Sequence, residues 1–368
     1  MYSRFLKNFF AFSAILLGTV FLTNFFVDPY GLRKQGGRVN NDRVVKAIRV
    51  NHLRPNIVLL GSSGVARGLN PEHPTLTKQG KTYNLGILGA NIYELLRYFQ
   101  HATAAESLDT AVVSLDFYAF NGIRDVRPGF SESRLENQSI APEDLFGLFF
   151  SIDSLKLVFN ADKRGRYFHK NGTYAHDIEP EERQSIFATE LLEDFSREEE
   201  MYWEYQFSQE NISYFSEMVT VAQAENVDLK PFIPPMHVTL FYSAMFSERW
   251  SLYQQWMKEV VAVHPVWDFS GCNSVTSEMI SPEMKNYEDP SHYTYKVGNL
   301  LIKQMFEELS TKEAGSFGVY VTSDNVDAHL KSVKAQCDRW QQENPEIVSW
   351  LKELDLNGRI IASSQKAN

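Results

Sequence analysis

Ser63, Asp289 and His292 are the residues of this chain whose types and spacing can do chemistry together. Ser63 lies in Ile57-Val58-Leu59-Leu60-Gly61-Ser62-Ser63-Gly64-Val65-Ala66-Arg67, where an unbroken apolar run passes into Gly-Ser-Ser-Gly before polarity returns. That pattern predicts a buried strand ending in a sharp turn. A serine at the carboxyl end of a strand in an open α/β sheet is held where such sheets bind ligands. Its hydroxyl is a poor nucleophile at neutral pH and needs a base within reach, oriented by a third group. Asp289-Pro290-Ser291-His292 offers both from one loop, just ahead of a predicted helix. Each stretch also has a plainer reading: Gly-Ser-Ser-Gly as a strand-to-loop turn, and Asp-Pro as a turn followed by a surface histidine.

The elements that must position these residues follow from the hydrophobic pattern. Lys81 to Ile87 reads as a second strand, Ile92 to Ala105 as a helix and Ala111 to Asp116 as a third buried strand. Strand, loop, helix and strand at such short intervals predict crossover units and a parallel sheet, with helices on both faces. The expected fold class is therefore α/β, a three-layer α/β/α, flavodoxin-like parallel sheet. Ser63 follows the first strand and the Asp289/His292 loop precedes the last helix of the domain, about Lys296 to Leu309, so both can fall on one edge of the sheet. A helix from about Asn211 to Glu225 leads to a strand ending at Pro234-Pro235, ahead of His237. Ser247 to Val261 reads as a further helix and Val266 to Phe269 as a last short strand. Residues 121 to about 200 show no sustained period and are expected as a mostly helical insertion.

Both ends of the chain differ from this domain. Asn8 to Val27 is almost wholly apolar, free of charge and rich in Phe, with Arg4 and Lys7 before it. About 20 such residues are what a helix needs to cross a bilayer, and the basic flank predicts that everything after Asp28 lies outside the cytoplasm. Thr-Asn-Phe-Phe-Val-Asp-Pro-Tyr lacks the small-residue site of a cleavable signal peptide. Asp28-Pro29-Tyr30-Gly31 should break the helix, Gly36-Gly37 should form a link, and Asn41 to Leu53 suits a short amphipathic helix. The expected organisation is a cytoplasmic stub and transmembrane anchor (1-28), a linker with a short helix (29-53), the α/β domain (54-309, with its insertion at about 121-200) and a linker with a helical appendage (310-368).

The net charge of -10 argues against a partner bound mainly through the nucleic-acid backbone. Cys272 and Cys337 can pair in an oxidising compartment, with two partly buried free thiols as the alternative, and their spacing suggests no metal site.

With these stretches in view, the chain resembles the SGNH (GDSL-like) hydrolase superfamily over roughly Arg54 to Leu309. Gly61-Ser62-Ser63 is similar to that family's Gly-Asp-Ser block, with Ser in place of Asp, and Asp289-Pro290-Ser291-His292 is similar to its late Asp-x-x-His block. The resemblance implies Ser63 as nucleophile, His292 as base, Asp289 as its orienting group, and the Ser63 and Gly89 amides as oxyanion donors. Ser62 is the second candidate nucleophile. The family's third block ends in an Asn that donates to the oxyanion, whereas this chain has Ser114-Leu115-Asp116-Phe117. An ionised Asp116 would repel a developing oxyanion. Asn91 or Asn121 could substitute by position. Asp116, Asn121 and His237 are candidate substrate contacts, His237 also a back-up base.

The anchor ending in Asp-Pro-Tyr-Gly, the Gly-Ser-Ser block, Trp267-Asp268-Phe269-Ser270-Gly271 and the late Asp-x-x-His-Tyr narrow the resemblance. They are similar to membrane-anchored SGNH-like proteins of bacterial envelopes, among them the teichoic-acid D-alanyl transfer and alginate O-acetylation proteins. That likeness implies a single-pass protein of the bacterial inner membrane with its domain in the periplasm, transferring or hydrolysing O-acyl groups of an envelope or exported polysaccharide. It implies a polytopic membrane acyltransferase as partner, and neither metal nor organic cofactor. The reading from a different class is a catalytically silent module that binds glycan or scaffolds an envelope complex. A third keeps the fold and makes Gly61-Ser62-Ser63-Gly64 an anion-binding turn.

Overall fold

Residues 57-61 are apolar up to their closing glycine and fully buried, as expected of a strand covered on both faces. In the computed structural model this strand, β1 (Ile57–Gly61), lies inside a six-stranded sheet. The structure describes residues 2-27, 42-105, 107-137, 142-150, 167-175, 180-196, 201-202, 204-246, 249-307 and 317-354. The expected break at Asp28-Pro29-Tyr30-Gly31, the link at Gly36-Gly37 and the tail beyond 354 lie outside the described residues.

The strands are β1, β2 (Thr82–Gly86), β3 (Thr110–Ser114), the pair β4 (Tyr167–Phe168) and β5 (Tyr174–Ala175), then β6 (Asp228–Ile233), β7 (Val266–Asp268) and β8 (Val319–Val321). Sheet order is β2-β1-β3-β6-β7-β8, parallel except for β8, which runs antiparallel to β7. β4 and β5 form a separate antiparallel hairpin.

The helices in chain order are α1 (Tyr2–Val27), α2 (Asp42–Leu53), α3 (Ser63–Gly68), α4 (Pro74–Thr77), α5 (Ile92–Thr103), α6 (Glu132–Glu136) and α7 (Pro142–Phe150). They continue with α8 (Arg183–Ser196), α9 (Gln209–Ala224), α10 (Val238–Met245), α11 (Trp250–Val263), α12 (Tyr295–Glu307), α13 (Val326–Glu343) and α14 (Pro345–Glu353). The period-2 alternation of β1 divides the core. Val58 and Leu60 pack with Leu95 and Phe99 of α5, Phe215 of α9 and Trp256 of α11. Ile57 and Leu59 pack with Val297 and Leu301 of α12.

α1 contains a window of mean hydropathy 2.0, only 11% of it buried within the protein. At 1.5 Å per residue it is about 39 Å long, enough to cross a bilayer. Its last turns meet α7, where Phe21 lies 5.6 Å from Phe149 and 5.3 Å from Phe150 between ring centroids.

Two regions add to what the sequence leads one to expect. The described residues of the insertion are mostly helical, as expected, and also contain the β4-β5 hairpin. The segment after 310 does more than append helices: β8 completes the sheet edge, and Cys272 and Cys337 are joined in a disulfide that ties α13 to the loop after β7. Strand β8 has three residues, too short to reveal a period.

Candidate active site

The local fold at Ser63 is set by Gly61 and Ser62. A Cβ on Gly61 would lie 2.5 Å from the Val65 side chain and 2.6 Å from that of Ser114, so only glycine lets the chain turn here against β3. Ser62 stays extended (φ -87, ψ -159) and caps α3, its Oγ accepting from Gly64 N at 3.4 Å. Ser63 is therefore the first residue of the helix, where backbone N–H groups have no intrahelical acceptor. The two serines separate by burial. Ser62 is 2% exposed and turned toward Asp116 and Tyr118. Ser63 is half-buried and lines a cleft of about 230 Å³ together with His292, Gly89, Arg67, Arg124 and Arg127.

His292 enters the same cleft from the loop before α12. Its Nδ1 lies 2.7 Å from both carboxylate oxygens of Asp289. Asp289 Oδ1 also accepts from the backbone N–H groups of Ser291 (2.9 Å) and His292 (3.0 Å), which shapes the loop around the carboxylate. Burial alone would raise Asp289, but His292, Arg67 and the Ser291 N–H outweigh it and hold the group well below the usual carboxylate range. His292 is shifted down, first by burial and then by the Arg67 charge, with Asp289 opposing. A neutral ring with Nδ1–H directed at Asp289 leaves the Nε2 lone pair free to take a proton. Nε2 is buried and has no hydrogen-bond partner among the described residues, so the Ser63–His292 hydrogen bond is not closed here.

Arg67 joins the two halves of the site, and no motif in the sequence marks it. It lies one helical turn after Ser63, and its Nη1 is 3.0 Å from Asp289 Oδ2 and 3.5 Å from Glu288 Oε2. Glu288 is pushed up to about 7 by burial, with Arg67 opposing. The insertion supplies Tyr174, Glu190, Glu193 and Asp194 to the cleft wall, and Arg124 donates to Gly89 O at 3.1 Å. These residues are far apart in sequence, and only a spacing of four from Ser63 to Arg67 could have pointed to one of them.

Gly89 lines the cleft at φ +63, and its N–H makes no hydrogen bond among the described residues. The other candidates have their polar atoms engaged elsewhere. Asn91 caps α5, accepting from Glu94 N at 2.9 Å and donating to Arg124 O at 3.0 Å. Asn121 is fully buried and accepts from Gln206 N at 3.0 Å, pinning the insertion to the end of the sheet. His237 caps α10 through Nδ1 and places Nε2 2.8 Å from Glu278 O, and burial lowers its pKa to about 4. Its backbone N–H donates to Pro290 O at 2.9 Å, so it braces the Asp289/His292 loop. Asp116 lies beneath Ser62, accepting from Ser114 Oγ at 3.0 Å, and burial raises it to about 6.

Among the described residues, no group of three or more His, Cys, Asp or Glu side chains is placed to hold a metal ion. Neither models of protein families nor curated proteins match the chain.

Proposed function

We propose that this chain is a membrane-tethered serine acyltransferase or esterase with an SGNH-like, three-layer flavodoxin-type domain, acting outside the cytoplasm on O-acyl groups of an envelope or exported glycan. The observation that carries the reading is that Ser63 and His292, 229 positions apart in the sequence, line one cleft, with Asp289 2.7 Å behind the His292 ring.

In the proposed reaction Ser63 Oγ attacks the acyl carbonyl while His292 Nε2 takes its proton, and Asp289 holds the ring tautomer and the imidazolium. The tetrahedral oxyanion is met by the N–H groups of Ser63 and Gly89. The sugar hydroxyl leaves with the proton from His292, giving an acyl-serine. Water or a second sugar hydroxyl then attacks that ester, again deprotonated by His292, and Ser63 is regenerated. Catalysis requires Ser63 and His292 to close to hydrogen-bond distance, a tightening common when substrate fills a site. Arg124 and Arg127 add positive charge beside Gly89, which offsets the repulsion expected of Asp116.

The anchor reading rests on α1 and its basic amino-terminal flank, and the Cys272–Cys337 disulfide supports an oxidising compartment such as the periplasm. A polytopic membrane acyltransferase is the partner that the family likeness implies.

The test is turnover of a chromogenic acetyl ester and covalent labelling by a fluorophosphonate. Wild type should do both, while Ser63→Ala and His292→Ala should lose turnover with the fold intact by circular dichroism. Activity retained in Ser63→Ala would sink the mechanism. A folded wild type inert to both probes would favour the silent glycan-binding module, which the unpartnered Nε2 and the buried Asp116 also suit.

A further inference from the structure

The loop that carries Gly89 is gripped from outside the cleft by charged side chains that the reaction above does not use. Asp42 and Arg43, at the start of α2, are 6% and 4% exposed. Asp42 Oδ2 accepts from Leu88 N at 2.6 Å, and Arg43 donates through both terminal nitrogens to Leu88 O at 3.2 Å. Arg43 is itself immobilised, with Nε 2.6 Å from Glu94 Oε1, Nη2 3.0 Å from Glu94 Oε2 and Nη1 3.3 Å from Asp42 Oδ1. Glu94 belongs in turn to the capping box of α5. Buried charges are costly unless fully paired, and here the pairing converges on the backbone of Leu88: Asp42 holds the N–H of the Ile87–Leu88 peptide, and Arg43 the C=O of the next one.

The peptide that Arg43 holds joins Leu88 to Gly89. In a trans peptide the C=O and N–H point in opposite directions, and no cis bond occurs among the described residues. Arg43 holds Leu88 O and is not among the residues of the cleft wall, whereas Gly89 lines the cleft and its N–H has no acceptor among the described residues. Gly89 has little side-chain restraint of its own, and glycine crosses readily between backbone regions. A carbonyl in place of that N–H would face a developing oxyanion with like charge.

We infer that Asp42 and Arg43 are positioning residues that preset the Leu88–Gly89 peptide so that Gly89 N–H serves as an oxyanion donor. The inference rests on the acyl-transfer reading above. Arg43→Met and Arg43→Lys are to be compared with the full-length wild type in detergent, using p-nitrophenyl acetate, a fluorophosphonate and crystal structures of each protein. Arg43→Met should lower kcat about 100-fold, the effect of losing one oxyanion donor, with little change in KM. Arg43→Lys should recover part of that loss, since an ammonium can still bond Leu88 O. The Gly89 N–H should turn from the cleft in Arg43→Met.

A wild-type kcat in Arg43→Met, a loss expressed only in KM, or a peptide that keeps its orientation overturns the inference. If Arg43→Met does not fold, Asp42→Asn decides. It keeps an acceptor for Leu88 N but removes the charge beside Arg43, so a smaller fall in kcat supports the clamp and an unchanged kcat overturns it. A wild type inert to both probes overturns the acyl-transfer reading instead, and the peptide orientation in the variants still decides the clamp.

Discussion

At Asp289 a buried carboxylate is kept ionised by His292, Arg67 and backbone N–H groups, and the consequences are measurable. Asp289→Asn removes the group that selects the His292 tautomer, and kcat should fall by about 10⁴-fold, as for comparable triads. In the proposed mechanism His292 is the base and must be neutral, and its pKa is lowered. The acid limb of kcat/KM should therefore inflect below the ordinary histidine value of about 6.5. Asp289 opposes that lowering, so the limb should move to still lower pH in the residual activity of Asp289→Asn. A limb above 6.5 in wild type would contradict the assignment.

Asp116 supplies a second residue-scale prediction, on stability. Its folded pKa is raised from 3.8 to about 6 by burial, so between those values the folded state binds more protons than the unfolded state. Stability from this group is highest at low pH and is lost as pH rises through about 6. Asp116→Asn does not titrate, so its stability relative to wild type should rise between pH 4 and 7 by up to about 3 kcal/mol. Urea denaturation across that range measures it. A difference independent of pH would show that Asp116 is not held in a raised state.

At the scale of elements, the site is an alignment of three segments on one edge of the sheet: the start of α3, the loop after β2 and the loop before α12. Strands β1, β2 and β3 and helices α5, α9, α11 and α12 were readable because their apolar periods are long enough to count. α2 was expected as an amphipathic helix, yet Asp42, Arg43 and Lys46 are buried beside its valines. Sequence period ranks such residues as solvent-facing and cannot see the backbone groups that accept them. The appended segment has the expected helices, but its link to the sheet is not legible in the sequence for a related reason, because β8 becomes a strand only by pairing with β7 and α13 is tied down by Cys272–Cys337. The disulfide closes 65 residues, and chain entropy gives it about 4 kcal/mol at most. Cys272→Ser or Cys337→Ser should lower the urea midpoint accordingly, and an unchanged midpoint would mean that packing of α13 suffices without it.

At the scale of the whole molecule, α1 leaves Phe5, Phe9, Phe10, Phe12, Ile15 and Leu16 exposed, an apolar surface that water would penalise. The protein should sediment with membranes, resist extraction by alkaline carbonate and require detergent, whereas a chain beginning at Asp42 should be soluble. Release of the full-length protein by carbonate would contradict a spanning helix.

The sequence by itself determined those features that are local: a helix apolar enough to cross a bilayer, the buried parallel strands, a serine at the turn after β1 and a histidine paired with an aspartate three residues away. These depend on neighbours within a few positions, and composition and period record them. Only the tertiary structure decided which serine faces the cleft, that Arg67 reaches Asp289, and that Asn91, Asn121 and His237 have their polar atoms engaged elsewhere. It alone also decided that Arg43 and Asp42 hold the backbone of Leu88. Each of those depends on hydrogen bonds and burial between residues distant in sequence, which no local pattern encodes.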